Sequence, residues 1–337
     1  MTLQSEQVEV PDDLDTIVDL FESRRWTDGL PIVPPTVERV EAMVAGARRP
    51  PGDVVAVLPP GNGAATVEKI AINAVMAGCR PEYMPVLVAA VEALAAPEFN
   101  LKAVQVTTNP VAPLAIVNGP AAQGLGFNAG YGCFGPGARA NATVGRAIRL
   151  LLINVGGGVP GETDMAVAGH PGKYTFCVAE NETESPWEPL HVERGFPPDS
   201  STVTVVGISG FINSLLATPE QLAEAVTFTG SNDYRFGGCS VFSLNPAQAR
   251  TGLDKRALKQ AIYERSQKRV RNFERAWLEP RAGELRSLDE PDAPVPIART
   301  PDDLIVIVAG AGGAGNHSLV LPSFGNSRPV TRRIGAV

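Results

Sequence analysis

Thr202-Val203-Thr204-Val205-Val206-Gly207-Ile208, then Pro219-Glu220-Gln221-Leu222-Ala223-Glu224-Ala225-Val226-Thr227-Phe228-Thr229, then Val241-Phe242-Ser243-Leu244 decide the fold class. The first and third runs are short, apolar and bounded, as buried strands are, and the middle run has the length and spacing of a helix. The order continues with a predicted helix over Asp254–Arg275 and a strand over Leu304–Ala309. Strands alternating with helices predict an α/β fold in which mostly parallel sheets are covered by helices on both faces.

Working back toward the N-terminus, the same order appears earlier. Val54–Leu58, Ala103–Thr107 and Leu114–Asn118 read as strands, and Thr66–Gly78 and Met84–Ala96 as helices. In Ala142–Val155 the residues Val144, Ala147, Ile148, Leu151, Leu152 and Val155 form one apolar helical face. Two similar halves follow, 51–195 and 196–337, behind an N-terminal arm, 1–50, of two helices and a proline-rich loop. Leu278–Thr300, rich in charge and proline, reads as a surface excursion.

The composition excludes several classes. With 44% hydrophobic and 19% charged residues the chain has the makeup of a globular protein with a large core. A net charge of −7 and the lack of a basic stripe argue against a nucleic-acid reader. Met1–Val10 is polar and acidic, unlike a signal peptide, and apolar runs such as Ala147–Val155 are too short to span a bilayer. The expectation is a soluble, cytoplasmic protein with no membrane partner. Cys79, Cys133, Cys177 and Cys239 are widely spaced without a CxxC, so reduced thiols are expected.

Three glycine-rich loops sit where ligands bind in parallel sheets, beyond the strand ends. The first holds Gly61, Asn62, Gly63 and Thr66. Thr66 stands where a dinucleotide fingerprint has its third glycine, so the loop suits a simple anion better than a nicotinamide cofactor. The second, Gly310–Ser318, matches GxGxxG by letter but is followed by Leu319-Val320-Leu321-Pro322 rather than a helix; it would present Asn316, His317 and Ser318. The third, Gly135–Thr143, brings Asn141 to the start of an amphipathic helix, with Arg139 and Arg146 as a carboxylate or phosphate clamp. A small anionic substrate at the convergence of the three loops is the expectation.

Cys133, standing among glycines with Arg139 close in sequence, is a candidate nucleophile, and Cys177 is a second candidate thiol. His170, in a turn, and His317, in the terminal loop, are candidate proton carriers. Between His170 and His191 lies Glu180-Asn181-Glu182-Thr183-Glu184. Clustered carboxylates near a histidine suit general acid–base work, or a divalent metal held by Glu180, Glu182 and His191. Neither spacing nor composition names a cofactor.

Trp26-Thr27-Asp28-Gly29-Leu30-Pro31, Ala77-Gly78-Cys79-Arg80-Pro81, Asn141–Gly157, Gly172-Lys173-Tyr174-Thr175-Phe176-Cys177, Ser185–Phe196 and His317–Ile334 resemble a largely uncharacterised bacterial family, the UGSC-type (seleno)proteins and their companions. The resemblance covers nearly the whole chain and implies thiol or selenol redox chemistry. It also implies a divergent member. Gly210–Leu215 stands where relatives are rich in His, Asn and Asp, Gln248 replaces a histidine, and Asn316 replaces a lysine. No UGSC or CGSC motif is present, and Gly237-Gly238-Cys239-Ser240 is only superficially like one. The resemblance therefore implies either an enzyme relying on Cys133 and Cys239 or a non-catalytic subunit. The resulting expectation is a thiol-dependent redox or lyase enzyme, homo-oligomeric or paired with a homologous subunit; a metal-dependent hydrolase or lyase is the other enzymatic reading.

Overall fold

The computed structural model describes residues 3–215, 217–229, 231–285, 287–313 and 317–335. The arm carries helices α1 (Leu14–Ser23) and α2 (Val37–Ala47), capped by the side chains of Asp13 and Thr36. The chain then runs β1 (Val54–Leu58), β2 (Gly63–Thr66), α3 (Val67–Ala77), α4 (Met84–Leu94), α5 (Leu101–Val106), β3 (Ala112–Asn118), α6 (Pro120–Gly124), α7 (Arg139–Asn154), β4 (Cys177–Ala179) and α8 (Leu190–Glu193). It continues with β5 (Thr202–Ile208), β6 (Ile212–Ser214), α9 (Pro219–Thr229), α10 (Ser231–Phe236), β7 (Val241–Leu244), α11 (Pro246–Thr251) and α12 (Lys255–Arg265). Then follow β8 (Lys268–Arg269), α13 (Arg275–Leu278), β9 (Pro294–Val295), β10 (Ile305–Val308), β11 (Ser318–Leu321) and β12 (Val330–Arg333).

The class is α/β, but the sheets are mixed rather than mostly parallel. One has the order β4-β3-β5-β12 and the other β10-β7-β11-β6. In these two sheets β3/β4 and β7/β10 run parallel, while β3/β5, β5/β12, β7/β11 and β6/β11 run antiparallel. The reason is in the connections. A helical crossover carries β3 to β4 and β7 to β10. The links β4–β5 and β10–β11 contain at most the four-residue α8, too little for a crossover. Both sheets show the same succession of pairings, with one exchange: β6, which follows β5, joins the second sheet, and β12, which follows β11, joins the first.

Period-two alternation sorts these strands into layers. On β3, Ala115 and Val117 face the helices, while Leu114 and Ile116 face the other sheet; on β10, Val306 and Val308 face helices, while Ile305 and Ile307 face inward. The result is four layers: α2, α3, α4 and α7 on one sheet, two sheets face to face, and α9 and α12 on the other sheet. All seven residues of β5 are buried, as a strand covered on both faces must be.

Two local readings change. Residues 103–106 belong to α5, which ends before the extended Thr107, because Leu101, Val104 and Gln105 bury one helical face. The single helix expected over 254–275 stops at Arg265, where the chain turns to pair β8 with β9. No single described helix is long and apolar enough to cross a membrane.

Candidate active site

The two parallel strand pairs end in one place. The Asn181 N–H just after β4 donates to the carbonyl of Val308 at the end of β10 (2.7 Å). The edge of the inter-sheet layer therefore receives the residues that follow β3, β4 and β10, the position where strand ends leave backbone and side chains free for ligands.

Asn118, the last residue of β3, is fully buried and shares the inward parity of Leu114 and Ile116. Its Nδ2 donates to Glu180 Oε2 (2.6 Å) and to Glu182 Oε1 (2.9 Å), so one amide bridges two carboxylates. Glu182 Oε1 also accepts the Gly119 N–H (2.7 Å), and Glu180 Oε2 accepts the Leu190 N–H (2.8 Å). His191 is fully buried, with Nδ1 3.8 Å from Glu182 Oε1 and Nε2 3.3 Å from the Pro198 carbonyl. A carbonyl accepts only, so Nε2 carries a hydrogen and Nδ1 faces Glu182 without a hydrogen bond.

The two carboxylates differ in environment. Burial pushes Glu180 above the usual carboxylate range, against the pull of Lys255, the Leu190 N–H and the Asn118 amide; the nearby Glu182 adds to the push. Glu182 keeps 22% of its side chain exposed. Carboxyl groups held in unlike surroundings are the arrangement that separates an acid from a base.

Four buried polar atoms of this neighbourhood have no hydrogen-bond partner among the described residues: Asn118 Oδ1, His191 Nδ1, Ser200 Oγ and Thr202 Oγ1. Thr202 is the cross-strand partner of Asn118. Ser200 presses its carbonyl on Gly119, where a Cβ would lie 2.1 Å from that oxygen at a φ of +80°. Only glycine fits there. Orphaned buried polar atoms are expensive, and four together mark a place built to receive polar groups. A cavity of about 580 Å³ opens beside it, walled by Pro120, Ala121, Ser200, Ser201, Arg333 and Ile334.

The structure thus gathers Glu180, Glu182 and His191, as the sequence suggested. Among the described residues, however, no group of three or more His, Cys, Asp or Glu side chains is arranged to hold a metal ion. Asn118, Ser200 and Thr202 are not among the sequence candidates; Asn118 closes a strand expected over Leu114–Asn118 and found over Ala112–Asn118, and its place at that strand end is the available signal.

The three glycine loops do not all converge: the second meets the chain that leads into the third, where the Gly310 N–H donates to the Ala129 carbonyl (2.8 Å), but the first lies apart. Gly61, Asn62 and Gly63 form the β1–β2 hairpin, which packs on the C-terminal end of α7 through Gly61 N–H to Gly156 O (2.9 Å). Thr66 caps α3, its Oγ1 accepting the Lys69 N–H. The third loop enters the other end of α7, about 24 Å away for sixteen residues. The arginine clamp is also dispersed. Arg139 donates from Nε to the Gly78 carbonyl (2.9 Å), and Arg146 makes a two-pronged pair with Asp28 (both 2.8 Å) that pins the arm. Asn141 is buried and ties together the backbone at Asn128 and Cys133 rather than facing a ligand.

Cys133 lies in the inter-sheet core, its thiol near the N–H groups of Phe134 and Gly310. Burial pushes it up to about 11, and no cation offsets this. Cys177 points to the helix side of the same sheet, is pushed up by burial with Cys79 nearby, and does not meet Cys133. His170 accepts the Gly172 N–H at Nδ1 (3.1 Å) and sits 3.3 Å from Ile208 O. Ile208 pairs with Ala112 at the start of β3, the end opposite Asn118, and burial lowers the affinity of this imidazole for a proton. His317 is exposed, with Nδ1 3.1 Å from Asn213 Oδ1, and the buried Ser318 hydroxyl donates to Gln248. Asn316 lies outside the described residues.

A reactivity expectation follows. All four thiols are buried and pushed upward, so at pH 8 a thiol with a value of about 11 is ionised in only about one molecule in a thousand. A chromogenic disulfide reagent should leave the native thiols untouched for minutes and modify all of them after denaturation. Rapid native labelling of Cys133 would contradict the neutral-thiol assignment. Compared with known proteins, the chain matches no family model and no curated protein.

Proposed function

We propose that this chain is an enzyme that performs acid–base chemistry of the lyase type on a small anionic molecule. The observation that carries the reading is the single Asn118 amide bridging a buried carboxyl and a half-open carboxylate, with His191 beside the second. Glu182, relayed to His191, takes a proton from the substrate. Glu180, whose hold on a proton burial strengthens, gives that proton to the departing oxygen, which leaves as water while a double bond forms. Gly119 N–H and Asn118 orient the base. The neighbouring cavity reaches the cluster through Ser200, and its wall carries Arg333 together with Asp199; we assign Arg333 to the substrate's anionic group.

A panel of small hydroxycarboxylic acids incubated with the protein in D₂O tests this by NMR. Deuterium uptake at carbon, or loss of water, is expected for at least one acid. Glu182→Gln should slow it by about 10²–10⁴-fold. Wild-type rates in Glu182→Gln, or no turnover across the panel, would refute the reading.

A second reading, thiol-dependent redox or lyase chemistry, rests on the amide groups of Phe134 and Gly310 that face Cys133 and would receive a thiolate. The resemblance to UGSC-type proteins accords with it.

A further inference from the structure

The cluster of Asn118, Glu180, Glu182 and His191 is short of hydrogens. Glu180 Oε2 and Glu182 Oε1 already accept the N–H groups of Leu190 and Gly119, so the Asn118 amide turns its Nδ2 to them and Oδ1 is left as a lone acceptor. With the hydrogen of its neutral ring on Nε2, His191 presents a second acceptor at Nδ1. Both residues are fully buried, and among the described residues nothing donates to either atom. Lys255, the cation whose field reaches Glu180, is held by Glu193 (2.7 Å) and by the Glu188 carbonyl (3.0 Å).

The sheet register carries the cluster toward the cavity. Thr202 pairs with Asn118 on one side and with Arg333 on the other. Residues directly opposite on antiparallel strands share a face, with Cβ atoms roughly 5 Å apart, so Asn118, Thr202 and Arg333 form one row. The Thr202 hydroxyl, in the middle of that row, is buried and has no partner among the described residues. The far end of the row meets the cavity of about 580 Å³, which Arg333, Asp199, Ser200 and Ser201 line. Ser201 Oγ is engaged by the Ala121 N–H (2.9 Å), whereas the buried Ser200 Oγ is unpartnered. From Asn118 to Arg333 is two strand spacings, about 10 Å, and the long arginine side chain can close part of that gap.

We propose that Asn118 Oδ1 and Thr202 Oγ1 form a subsite for a protonated primary amine, and that the small anionic molecule is an amino acid whose carboxylate Arg333 takes. A primary ammonium brings three N–H donors and a positive charge, which together answer the lone acceptors, the Thr202 hydroxyl and the neighbouring acids. A ligand hydroxyl brings one hydrogen and no charge. The inference rests on the reading above for the place of the substrate, and not on which of its bonds breaks.

The test is isothermal titration calorimetry of the full chain near neutral pH with matched pairs: glycine and glycolate, alanine and lactate, aspartate and malate, β-alanine and 3-hydroxypropionate. In at least one pair the amino member should bind about tenfold more tightly or better. Thr202→Val, which keeps the side chain's shape, should remove most of that preference. It should also leave the unliganded protein at least as stable as wild type, because an orphaned buried hydroxyl has gone. Thr202→Ser should restore the preference. Arg333→Met should weaken both members of the pair alike, which loss of a contact to the ammonium would not do. Equal affinity within every pair, no binding in any pair, or a preference that survives in Thr202→Val would overturn the inference. The lyase reading fails separately: amino-acid binding with neither deuterium uptake nor loss of water refutes that reading alone, and turnover of hydroxy acids with no preference for the amine refutes this inference alone.

Discussion

Between about pH 4 and pH 7 the Asp233 carboxyl should withdraw roughly 4 kcal/mol of stability as the pH rises. The group is fully buried, and burial pushes it from 3.8 up to about 7, against hydrogen bonds from Ser240, Ser323 and the Ser323 N–H and the field of Arg328. Its oxygens accept from Ser240 Oγ (2.5 Å) and Ser323 Oγ (2.6 Å), and among the described residues no cation pairs with it directly. In that window the folded chain keeps a proton that the unfolded chain releases, so stability falls with rising pH and levels off above the folded value. Tyr234 and Cys239, both neutral there, are its other titratable neighbours. Asp233→Asn removes the titration while keeping the shape. Chemical denaturation of both proteins at pH 4.5 and pH 8 should show the variant gaining on wild type by several kcal/mol at the higher pH. Parallel profiles would mean that Asp233 is ionised in the native protein and served by groups other than these hydroxyls.

The second large effect is expected at Arg281, 2% exposed. Its NH1 donates to the carbonyls of Tyr234 (2.9 Å) and Pro296 (2.6 Å), NH2 to Ala298 (3.4 Å), and Nε to Glu284 (3.2 Å). One planar fork thus joins α10, the segment before β10 and its own turn. Arg281→Met leaves these acceptors unserved inside the protein and should lose about 3–5 kcal/mol in denaturant unfolding. Arg281→Lys should recover only part of that, because one ammonium cannot reproduce the fork. A loss below about 1 kcal/mol in the methionine variant would show that water replaces the side chain at no great expense.

Much of the secondary structure was legible because it is local. Val54–Leu58, Thr202–Ile208, Pro219–Thr229 and Val241–Leu244 have the bounds expected from pattern alone. Strand direction was not legible. It depends on β4, three residues long, and on β11 and β12, whose pairing is fixed only when the chain returns from far away. The acidic run before His191 pointed to a real cluster, because its members are near in sequence. Arg146 misled for the opposite reason: its partner Asp28 is 118 residues away, and nothing beside Arg146 announces it. Glycine-rich loops misled too, since glycine serves tight backbone packing, as at Gly63 against Val155 O, as readily as it serves ligands.

The exchange of β6 and β12 bears on the order in which this chain can mature. As it emerges from a ribosome, β3, β4 and β5 can assemble early, but the outer side of β5 stays unpaired until Val330–Arg333 has been made. That is roughly 120 residues later, on the order of ten seconds of synthesis. Meanwhile β6 has only nascent chain to pair with, since β11 does not yet exist. The first sheet is completed by β12 from near the end of the sequence and the second by β6 from just after β5, so a cut between β6 and β7 leaves each sheet one strand short. For those seconds the nascent protein carries an open sheet edge, the state in which a chaperone, or a neighbouring copy, finds the most to bind.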